Sequence, residues 1–287
     1  MNAFIDSILK KHLSPSIQLD SVQPLSGGCI NNAFKVFSDQ GTFFIKCNQS
    51  SLIKMFSTEE RCLAMLFKHS PIRTPRPLGI GVANEKSYLL TEWIEKGAQS
   101  GKFWESFGSN LAIQHRETHN EFGLDHANFI GSLPQSNSPH TNWHSFFIYE
   151  RLIPQLNLGI SKNIISNDLR SQFDLLFLKL EHLIPKERPS LLHGDLWSGN
   201  FTVDQSGEAA IFDPAVYYGH RETELAFTQL FGGFSPSFYH AYQESFPVES
   251  GFDERIEIHN LYPLLVHVNL FGASYLSGVL QTLKRFS

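Results

Sequence analysis

Residues 191–213 read LLHGDLWSGNFTVDQSGEAAIFD, and the interpretation of the whole chain depends on this stretch. An apolar, strand-like lead-in ends in a polar loop that holds His193, Asp195 and Asn200 within eight positions. A second strand-like segment follows, and after the turn QSGE a third one, AAIFD, ends at Asp213. Each residue by itself is typical of an ordinary turn or cap. The question is whether the set forms a catalytic loop.

The spacing favours catalysis. Asp195 and Asn200 reproduce the D-x-x-x-x-N of the protein-kinase catalytic loop, with Gly194 where those enzymes carry arginine. Asp213 stands where their metal-binding aspartate follows, and the hairpin is expected to bring it to the same end as Asn200. Mg²⁺ prefers oxygen ligands, which Asn200 and Asp213 would supply. Asp195 would then accept the proton of an attacking hydroxyl group.

A lysine in the N-terminal part supplies a second half of this pattern. Lys46 ends the alternating strand TFFIK, and a buried charge there is costly unless it is paired. Glu59, in the following helical segment, is the natural partner, as in the lysine–glutamate pair that positions nucleotide phosphates in kinases. A snorkelling lysine on an edge strand is the alternative.

Two further segments are candidates for nucleotide binding. The turn SGGCINN contains Gly27 and Gly28, whose backbone N–H groups would lie over phosphates, although most Gly-Gly turns are only turns. The segment TEWIEKG lies at the junction between the strand-rich and helical parts. There the backbone of Glu92, Trp93 and Ile94 is positioned to bind an adenine edge.

The coarse pattern predicts two lobes. The N-terminal part reads as a strand, a β-hairpin over 31–47, a helix around Glu59 and two more strands, RPLGIGV and SYLLTEWI. STEE at the front of the helix matches a capping box, although the helix would also fit a start one turn earlier. A long apolar stripe over 166–184 predicts a helix after the connector EKGAQSG.

The predicted fold class is therefore α+β, a bilobal protein-kinase-like fold with a small β-rich N-lobe and a larger, mainly helical C-lobe. The predicted boundaries are 1–94 for the nucleotide-binding lobe, 95–101 for a hinge, and 102–287 for the catalytic and acceptor-binding lobe.

Composition narrows the possible partners. The chain has 287 residues and a net charge of −5, so it has no overall basic footprint for nucleic acid or an anionic membrane. The N-terminus MNAFIDSILKKHL does not match a signal peptide, and the interrupted apolar run 261–280 predicts a buried helix pair instead of a membrane span. Three cysteines without a C-x-x-C favour a reducing cytoplasm. Nothing in the pattern predicts an oligomeric state.

With these residues in place, the sequence resembles the fructosamine kinase family, also called ketosamine-3-kinases, of the aminoglycoside-phosphotransferase-like branch of the kinase fold. The matching motifs span the chain and include GGCINNAFKV, FFIKCN, TPRPLGIG, HGDLWSGN, IFDPAVYYGHRETELA, ELAFTQLFGGF and NLFGASYL. The family phosphorylates the sugar 3-hydroxyl of ketosamines with ATP and Mg²⁺. The unstable 3-phosphate then breaks down and frees the amine, so the process is called deglycation.

The resemblance implies roles for individual residues and a class of acceptor. It makes Asp195 the base, Asn200 and Asp213 the Mg²⁺ ligands, and Lys46 the phosphate contact with Glu59 as its partner. GGCI becomes the nucleotide loop, in which Cys29 is either a redox-sensitive thiol, as proposed for the family, or a small buried side chain. The acceptor would be a ketosamine or a glycated amine, including one on a protein side chain. Bacterial relatives are associated with ribulosamines and erythrulosamines more than with fructosamines.

The segment after Asp213 indicates a small acceptor, because PAVYYGHR is too short for the platform on which protein kinases dock a polypeptide. Aromatic faces suit the C–H surface of a sugar, and polar tips can bind its hydroxyls. Core packing is the alternative for every candidate, while Glu224, His115 and His193 are predicted to be structural. The acceptor-site candidates are Trp197, Tyr217, Tyr218, His220, Arg221 and Trp143.

Two other functions remain open at this point. The first is a kinase of a different small acceptor: an aminoglycoside, choline or a free sugar. The second is a nucleotide-binding module without catalysis. The presence of the full set Lys46, Glu59, Asp195, Asn200 and Asp213 argues against the second, since inactive kinases usually lose one of these residues.

Overall fold

The structure is a computed structural model that describes residues 1–25 and 31–287. The predicted nucleotide-loop residues Gly27, Gly28 and Cys29 lie outside the described residues. The chain forms two compact units. The first comprises Met1–Phe103 and Phe201–Pro214, and the second comprises Trp104–Asn200 and Ala215–Ser287. Within the described ranges, no helix is long and apolar enough to span a membrane.

The first unit is built on a five-stranded antiparallel sheet of order β1-β2-β3-β5-β4, with a separate hairpin of β9 and β10. The predicted hairpin over 31–47 is confirmed as the β2–β3 pair, and the two strands predicted after the helix are confirmed as β4 and β5. With labels in chain order, its elements are α1 (Asn2–His12), β1 (Leu19–Leu25), β2 (Asn32–Ser38), β3 (Gly41–Gln49), α2 (Ile53–His69), β4 (Pro77–Ala83), β5 (Lys86–Glu92), β9 (Phe201–Val203) and β10 (Ala209–Ile211).

Strand alternation places Lys46 beside its helix. Successive side chains of a strand point to opposite faces of the sheet. Ile45 and Leu90 pack in the apolar cluster with α1, whereas Leu89 packs with Phe56 of α2 on the other face. Lys46 pairs with Leu89 across β3 and β5, so it lies on the α2 face.

The capping-box prediction for α2 is wrong. A 3₁₀ turn over Ser50–Leu52 leads directly into the helix, which begins at Ile53. Ser57 and Thr58 therefore lie inside the first turns, and their hydroxyls donate to the carbonyls of Lys54 and Met55 instead of capping free N–H groups. The earlier of the two predicted starts is the one observed.

The hairpin of β9 and β10 belongs to the first unit through contacts with Arg73. The Ile211 N–H donates to the Arg73 carbonyl at 2.9 Å, and the Arg73 guanidinium donates to Asp204 at 3.2 Å. The predicted range 102–287 includes this hairpin, because a short hairpin within a helical stretch carries no local signal of its long-range partner. The functional boundaries 1–94, 95–101 and 102–287 remain a prediction.

The second unit is mainly helical with two short antiparallel pairs, β6–β7 and β8–β11. The helix predicted over 166–184 is confirmed as α6, and the predicted helix pair over 261–280 is confirmed as α10 and α11. The elements are α3 (Phe103–Gln114), β6 (Asn128–Ile130), β7 (Leu133–Gln135), α4 (Trp143–Phe146), a π-helical segment (Phe147–Leu152), α5 (Ile153–Ser161), α6 (Leu169–Leu183), β8 (Ser190–Leu192), β11 (Tyr217–Gly219), α7 (Arg221–Leu230), α8 (Pro236–Ser245), α9 (Phe252–His259), α10 (Leu261–Phe271) and α11 (Leu276–Phe286).

One apolar core unites these helices. The stripe of α6 buries Phe173, Leu176 and Leu180 in the same cluster as Leu265 of α10 and Leu283 of α11. The predicted strand β8 pairs with β11, and the polar loop with Asp195 follows β8 directly. A packed helical core therefore supports the loop that contains Asp195.

Candidate active site

A buried ion cluster in the first unit contains three of the predicted residues. The Lys46 ammonium donates to Glu59 Oε1 at 2.7 Å and to Asp213 Oδ1 at 2.5 Å. Lys46 is only 8% exposed, so the snorkelling alternative does not apply. The cost of burying its charge is offset by the two carboxylates.

The pKa directions in this cluster follow from one cation shared by two anions. Burial opposes the charged form of Lys46, but the Asp213 and Glu59 carboxylates outweigh it and raise the pKa of Lys46. Burial raises the pKa of Glu59; Lys46 opposes this increase and Asp213 adds to it. Lys46 is therefore held charged, and the cluster carries an excess of carboxylate that suits a further cation.

Asp213 has an unusual backbone and an exposed side chain. Its φ is +59°, in the left-handed region that non-glycine residues rarely adopt. Strain of this kind tends to occur at functional sites. The side chain is 47% exposed although Oδ1 is bound to Lys46. One carboxylate oxygen thus holds the lysine while the group keeps access to solvent and to a cation.

The segment after β5 contains one backbone N–H group without a hydrogen-bond acceptor among the described residues. The N–H groups of Glu92 and Trp93 donate to the carbonyls of Arg76 and Thr42. The Ile94 N–H, in contrast, has no acceptor among the described residues, although Ile94 is only 8% exposed. A buried N–H without a partner is uncommon in folded proteins, and a ligand acceptor would satisfy it.

The loop that follows β8 depends on a glycine. Gly194 has a φ of +82°, and a Cβ added there would lie 2.1 Å from the backbone oxygen of Ala215. The same strand edge is held by a hydrogen bond from the Ala215 N–H to the His193 carbonyl at 2.9 Å. An arginine, as in protein kinases, would not fit at position 194 without moving this backbone.

Glu224 of α7 braces the loop from below. Its carboxylate accepts from the Gly194 N–H at 2.7 Å and the His193 N–H at 3.1 Å, and it lies 2.9 Å from His115 Nε2. Burial alone would raise the pKa of Glu224, but the hydrogen bond and charge of His115 and the loop amides outweigh it and lower that pKa. His115 in turn contacts the Tyr242 hydroxyl at 2.8 Å. A structural role is thus visible for Glu224 and His115.

Asp195 and Asn200 are brought together at the end of this loop. The Asn200 side-chain amide donates to the Asp195 carbonyl at 2.8 Å and to Asp195 Oδ2 at 2.9 Å. Both Asp195 oxygens accept hydrogen bonds, so the NH₂ group of the Asn200 amide must face them. The Asn200 Oδ1 atom therefore points away from Asp195. No donor in the described chain reaches this amide oxygen, so it is available as a hard oxygen ligand. His193 Nδ1 accepts from the Asp195 N–H at 3.3 Å, in keeping with its predicted bracing role.

Trp197 folds back over its own loop. A Cβ added at Gly199 would lie 2.3 Å from the Trp197 ring, so only glycine leaves room for the indole there. The ring is half-buried and meets Phe231 edge-on, with centroids 6.0 Å apart. Part of the indole therefore remains accessible beside Asp195.

Four of the six acceptor candidates have structural contacts instead of free surfaces. Tyr217 is 1% exposed beneath the guanidinium of Arg151, and Trp143 is buried in the aromatic core. His220 caps α7 by accepting the Glu222 N–H. Arg221 is buried and donates twice to Glu187.

We therefore leave Trp143, His220 and Arg221 out of the proposed acceptor site, whereas Tyr217 lines a cavity together with Asp195 and remains a prediction. The reason is packing, which the sequence pattern does not display. Tyr218 is half-buried and stacks on His119 with ring centroids 4.9 Å apart. It remains a candidate for the acceptor site, as Trp197 does.

Comparison with known proteins identifies the group to which this site belongs. The family model for fructosamine kinase matches residues 1–286. The chain belongs to the fructosamine kinase family. A protein named "Probable ketoamine kinase" from Lactiplantibacillus plantarum is 36% identical over 95% of this chain and 96% of its own length. A chloroplastic protein-ribulosamine 3-kinase from Arabidopsis thaliana is 35% identical over 94% of this chain and 83% of its own.

Solved structures agree with the fructosamine kinase assignment. A crystal structure named for fructosamine-3-kinase, from Haemophilus somnus 129PT, superposes with a TM-score of 0.90 at 30% identity, covering 100% of this chain and 97% of that one. An aminoglycoside phosphotransferase, APH(4)-Ia, in complex with AMP-PNP and hygromycin B has a TM-score of 0.62 at 14% identity over 98% and 97% of the two chains. The second likeness establishes the fold alone. The predicted α+β, protein-kinase-like class is thereby confirmed.

The sequence pattern missed several residues that support the loop of Asp195 and the segment after Asp213. Asn128 and Gln135, on the unpredicted pair β6–β7, donate to the carbonyls of Val216 and Ala215, directly after the Asp213-Pro214 step. Arg151, fully buried, donates to Asn137 at 2.7 Å and covers the Tyr217 ring. The strands are three residues long and show no periodicity, so only the tertiary structure identifies them.

Proposed function

We propose that the chain is an ATP-dependent kinase that transfers a phosphoryl group to the 3-hydroxyl of ketosamines, with ribulosamines and erythrulosamines as preferred acceptors. Ketosamine phosphorylation is the activity for which its relatives are named, and the neighbour with AMP-PNP supports the use of ATP. The observation that carries the proposal within the chain is the pairing of Asp195 with Asn200. It holds a carboxylate at the end of a braced loop, as a base for a hydroxyl must be held.

Each residue has a proposed task in the transfer. Asp195 accepts the proton of the sugar hydroxyl, and the Asn200 amide and the His193–Gly194 brace keep its carboxylate in position. Lys46, kept charged by Glu59, binds phosphate oxygens. The free Ile94 N–H donates to the adenine edge. Trp197 and Tyr218 contact the acceptor through their partly exposed rings.

The residues present fit a magnesium ion. Asn200 offers an amide oxygen without a donor, and Asp213 offers a solvent-accessible carboxylate. Both are hard oxygen ligands, and we propose that they hold Mg²⁺. When bound with nucleotide, the ion would neutralise charge on the phosphate oxygens.

A direct test compares acceptors with the purified chain and labelled ATP. The expected result is turnover of ribulose-lysine and erythrulose-lysine that exceeds turnover of fructose-lysine, with little or none for choline, free ribulose or an aminoglycoside. Preferential turnover of any of these last three would replace ketosamine as the substrate class. Binding of ATP without phosphorylation of any acceptor would instead favour a non-catalytic module.

Removal of the base tests the role of Asp195 on the best acceptor. Asp195→Asn is expected to lower kcat by roughly 10²–10⁴-fold, the usual contribution of a general base. The matched control is Asp174→Asn, because Asp174 is 57% exposed and pairs with Arg170 on the surface of α6. The assignment would be wrong if Asp195→Asn kept nearly full turnover while both variants unfolded like the parent chain.

A further inference from the structure

An arginine between α2 and β4 contacts two separate parts of the first unit. The Arg73 Nη1 donates to Asp204 Oδ2 at 3.2 Å, and its Nη2 lies 3.6 Å from Glu92 Oε1. The Arg73 carbonyl accepts from the Ile211 N–H at 2.9 Å. Glu92 ends β5, Asp204 directly follows β9, and Ile211 ends β10. Arg73 therefore joins the end of β5 to the β9–β10 hairpin.

Asp204 is buried and holds the turn of this hairpin. Its Oδ1 accepts from the Ser206 N–H at 2.9 Å, from the Glu208 N–H at 3.1 Å and from the Ser206 hydroxyl. Burial alone would raise the pKa of Asp204, but the hydrogen bonds from Ser206, Glu208 and Arg73 outweigh it and lower that pKa. One carboxylate oxygen thus serves the turn, and the other accepts from Arg73.

The segment that follows Ile94 lies along the same hairpin. The Gly97 N–H donates to the Val203 carbonyl at 3.1 Å, and the Ser100 N–H donates to the Gly207 carbonyl at 3.0 Å. A Cβ added at Gly97 would lie 2.2 Å from the backbone oxygen of Asp204. The backbone at 97–100 is therefore fixed to the hairpin, and the close approach requires glycine at position 97.

The hairpin leads directly to Asp213, two residues beyond the end of β10. The left-handed φ of Asp213, +59°, is kept only where the surrounding structure holds the chain in place. Lys46 holds the side chain, and the bond from Ile211 to the Arg73 carbonyl holds the backbone just before it. A displacement of the hairpin would consequently move the Asp213 carboxylate.

From these contacts we propose that Arg73 is a positioning residue of the nucleotide site, whose guanidinium fixes the hairpin, and with it Asp213, relative to the segment after β5. The inference rests on the proposed function, in which Asp213 holds Mg²⁺ and the Ile94 N–H binds the adenine edge. Arg73 acts through Asp204 and Glu92 and is assigned no contact with nucleotide or metal. The planar guanidinium suits this role because it presents several donors at fixed angles to two carboxylates.

The test measures how strongly Mg²⁺ tightens the binding of AMP-PNP to the full chain. The readout is the ratio of the Kd values without and with Mg²⁺, obtained by calorimetry for the parent chain, Arg73→Met, Arg73→Lys and Asp204→Asn. Asparagine at position 204 keeps an oxygen for the turn but replaces the acceptor of Arg73. Arg76→Met is the matched control, because Arg76 is an exposed arginine of the same segment. Adenosine, which has no phosphates, is titrated into each variant as well.

Arg73→Met and Asp204→Asn should each lower this ratio by about 3- to 10-fold, the size of coupling within one hydrogen-bond network. The double variant should lose little more than either single one, because both remove the same contact. Arg73→Lys keeps a donor to Asp204 and should retain most of the ratio, and Arg76→Met should retain all of it. Adenosine affinity should change little, since the N–H groups of Glu92 and Trp93 hold that segment independently.

A role of Arg73 in stability alone would lower the Tm of Arg73→Met and leave the ratio unchanged, which would overturn the positioning role. An equal fall of the ratio in Arg76→Met would overturn it too. Both results leave the kinase assignment intact, because that assignment depends on turnover of ketosamines. A parent chain whose AMP-PNP affinity does not respond to Mg²⁺ overturns this inference together with the proposed magnesium site.

Discussion

At the scale of single residues, Gly194 occupies a position where neighbouring backbone leaves no room for a Cβ atom. Its left-handed φ of +82° and the 2.1 Å approach of the Ala215 oxygen act together. A Cβ at this position would separate the strand edge from the loop that ends at Asp195. The glycine in HGD is therefore required by the geometry of this fold.

Gly194→Ala is expected to destabilise the chain by more than the roughly 1–2 kcal/mol of left-handed strain and to abolish most turnover. The added methyl group forces Ala215 away and moves the Asp195 loop. Urea unfolding and kcat are the measurements. Gly232→Ala is the matched control, since Gly232 has a φ of +70° with nothing within 4 Å of an added Cβ. Equal losses in the two variants would show that strain alone explains Gly194.

The sequence predicted an ion pair correctly where a buried charge needs an opposite charge beside it. Lys46 was expected to meet Glu59 because a strand lysine needs a carboxylate, and the two groups are 2.7 Å apart. The acceptor candidates lacked such a constraint. His220 and Arg221 are polar residues next to a motif, and position alone did not distinguish a ligand contact from a cap or a buried ion pair.

At the scale of elements, the start of α7 places three titratable side chains inside the second unit. His220, Glu222 and Glu224 are all buried there. Glu224 faces the catalytic loop, whereas Glu222 accepts two hydrogen bonds from Arg255 of α9 and lies 3.1 Å from His259. One helix end thus ties the loop of Asp195 to the C-terminal helices.

His220 makes this helix end sensitive to acid. Its Nδ1 accepts the Glu222 N–H and its Nε2 donates to the Pro185 carbonyl, so both ring nitrogens are engaged in the neutral form. Burial and the neighbouring His259 lower the pKa of His220 to about 4. In the unfolded chain the ring titrates near 6.5, so the unfolded state binds the proton first as the pH falls.

The stability contributed by neutral His220 is therefore complete above pH 6.5 and is lost as the pH falls to about 4, by up to about 3 kcal/mol. The free energy of unfolding in urea, measured at several pH values across this window, should decline less steeply in His220→Asn. Asparagine can cap the helix but does not titrate. The two chains are compared by how steeply the free energy of unfolding changes with pH, because loss of the imidazole ring also lowers that free energy at every pH. Parallel slopes would contradict the assignment.

At the scale of the whole molecule, the chain passes between the two compact units three times, near residues 103, 200 and 214. Lys46, Glu59 and Asp213 belong to the first unit, and Asp195, Asn200 and Trp197 belong to the second. Residues that are neighbours in the motif-bearing stretch thus belong to different units. The segment 201–214 is held in the first unit by Arg73 and by Lys46.

Removal of Mg²⁺ is predicted to lower the thermal stability of the chain in the presence of nucleotide, because it weakens nucleotide binding. With AMP-PNP at about 100 times its Kd, Mg²⁺ should stabilise the parent chain by up to about 2.7 kcal/mol, seen as a rise in Tm. EDTA should remove this increment and all turnover. In Asp213→Asn the increment should vanish even with Mg²⁺, whereas Asp174→Asn should retain it. A magnesium-dependent rise that persists in Asp213→Asn would exclude Asp213 as a ligand.

Local periodicity and charge were enough to predict several elements and pairings of this chain. Alternation predicted the β2–β3 hairpin, the apolar stripe predicted α6, and the D-x-x-x-x-N spacing singled out Asp195 and Asn200, which share two hydrogen bonds. These signals lie within short windows of the chain, where residue spacing directly reflects backbone geometry.

Which polar residues support the site and which remain accessible depends on how distant segments pack together. The Glu224 carboxylate accepts from the Gly194 N–H across 30 positions, and Arg151, in the π-helical segment, is buried against Tyr217. Gln135 reaches the Ala215 carbonyl across 80 positions. Such contacts depend on packing between distant segments, and no local spacing encodes them. Burial depends on the whole fold, and it therefore distinguishes the half-buried Trp197 from Trp143 and Arg221, which are buried among other side chains.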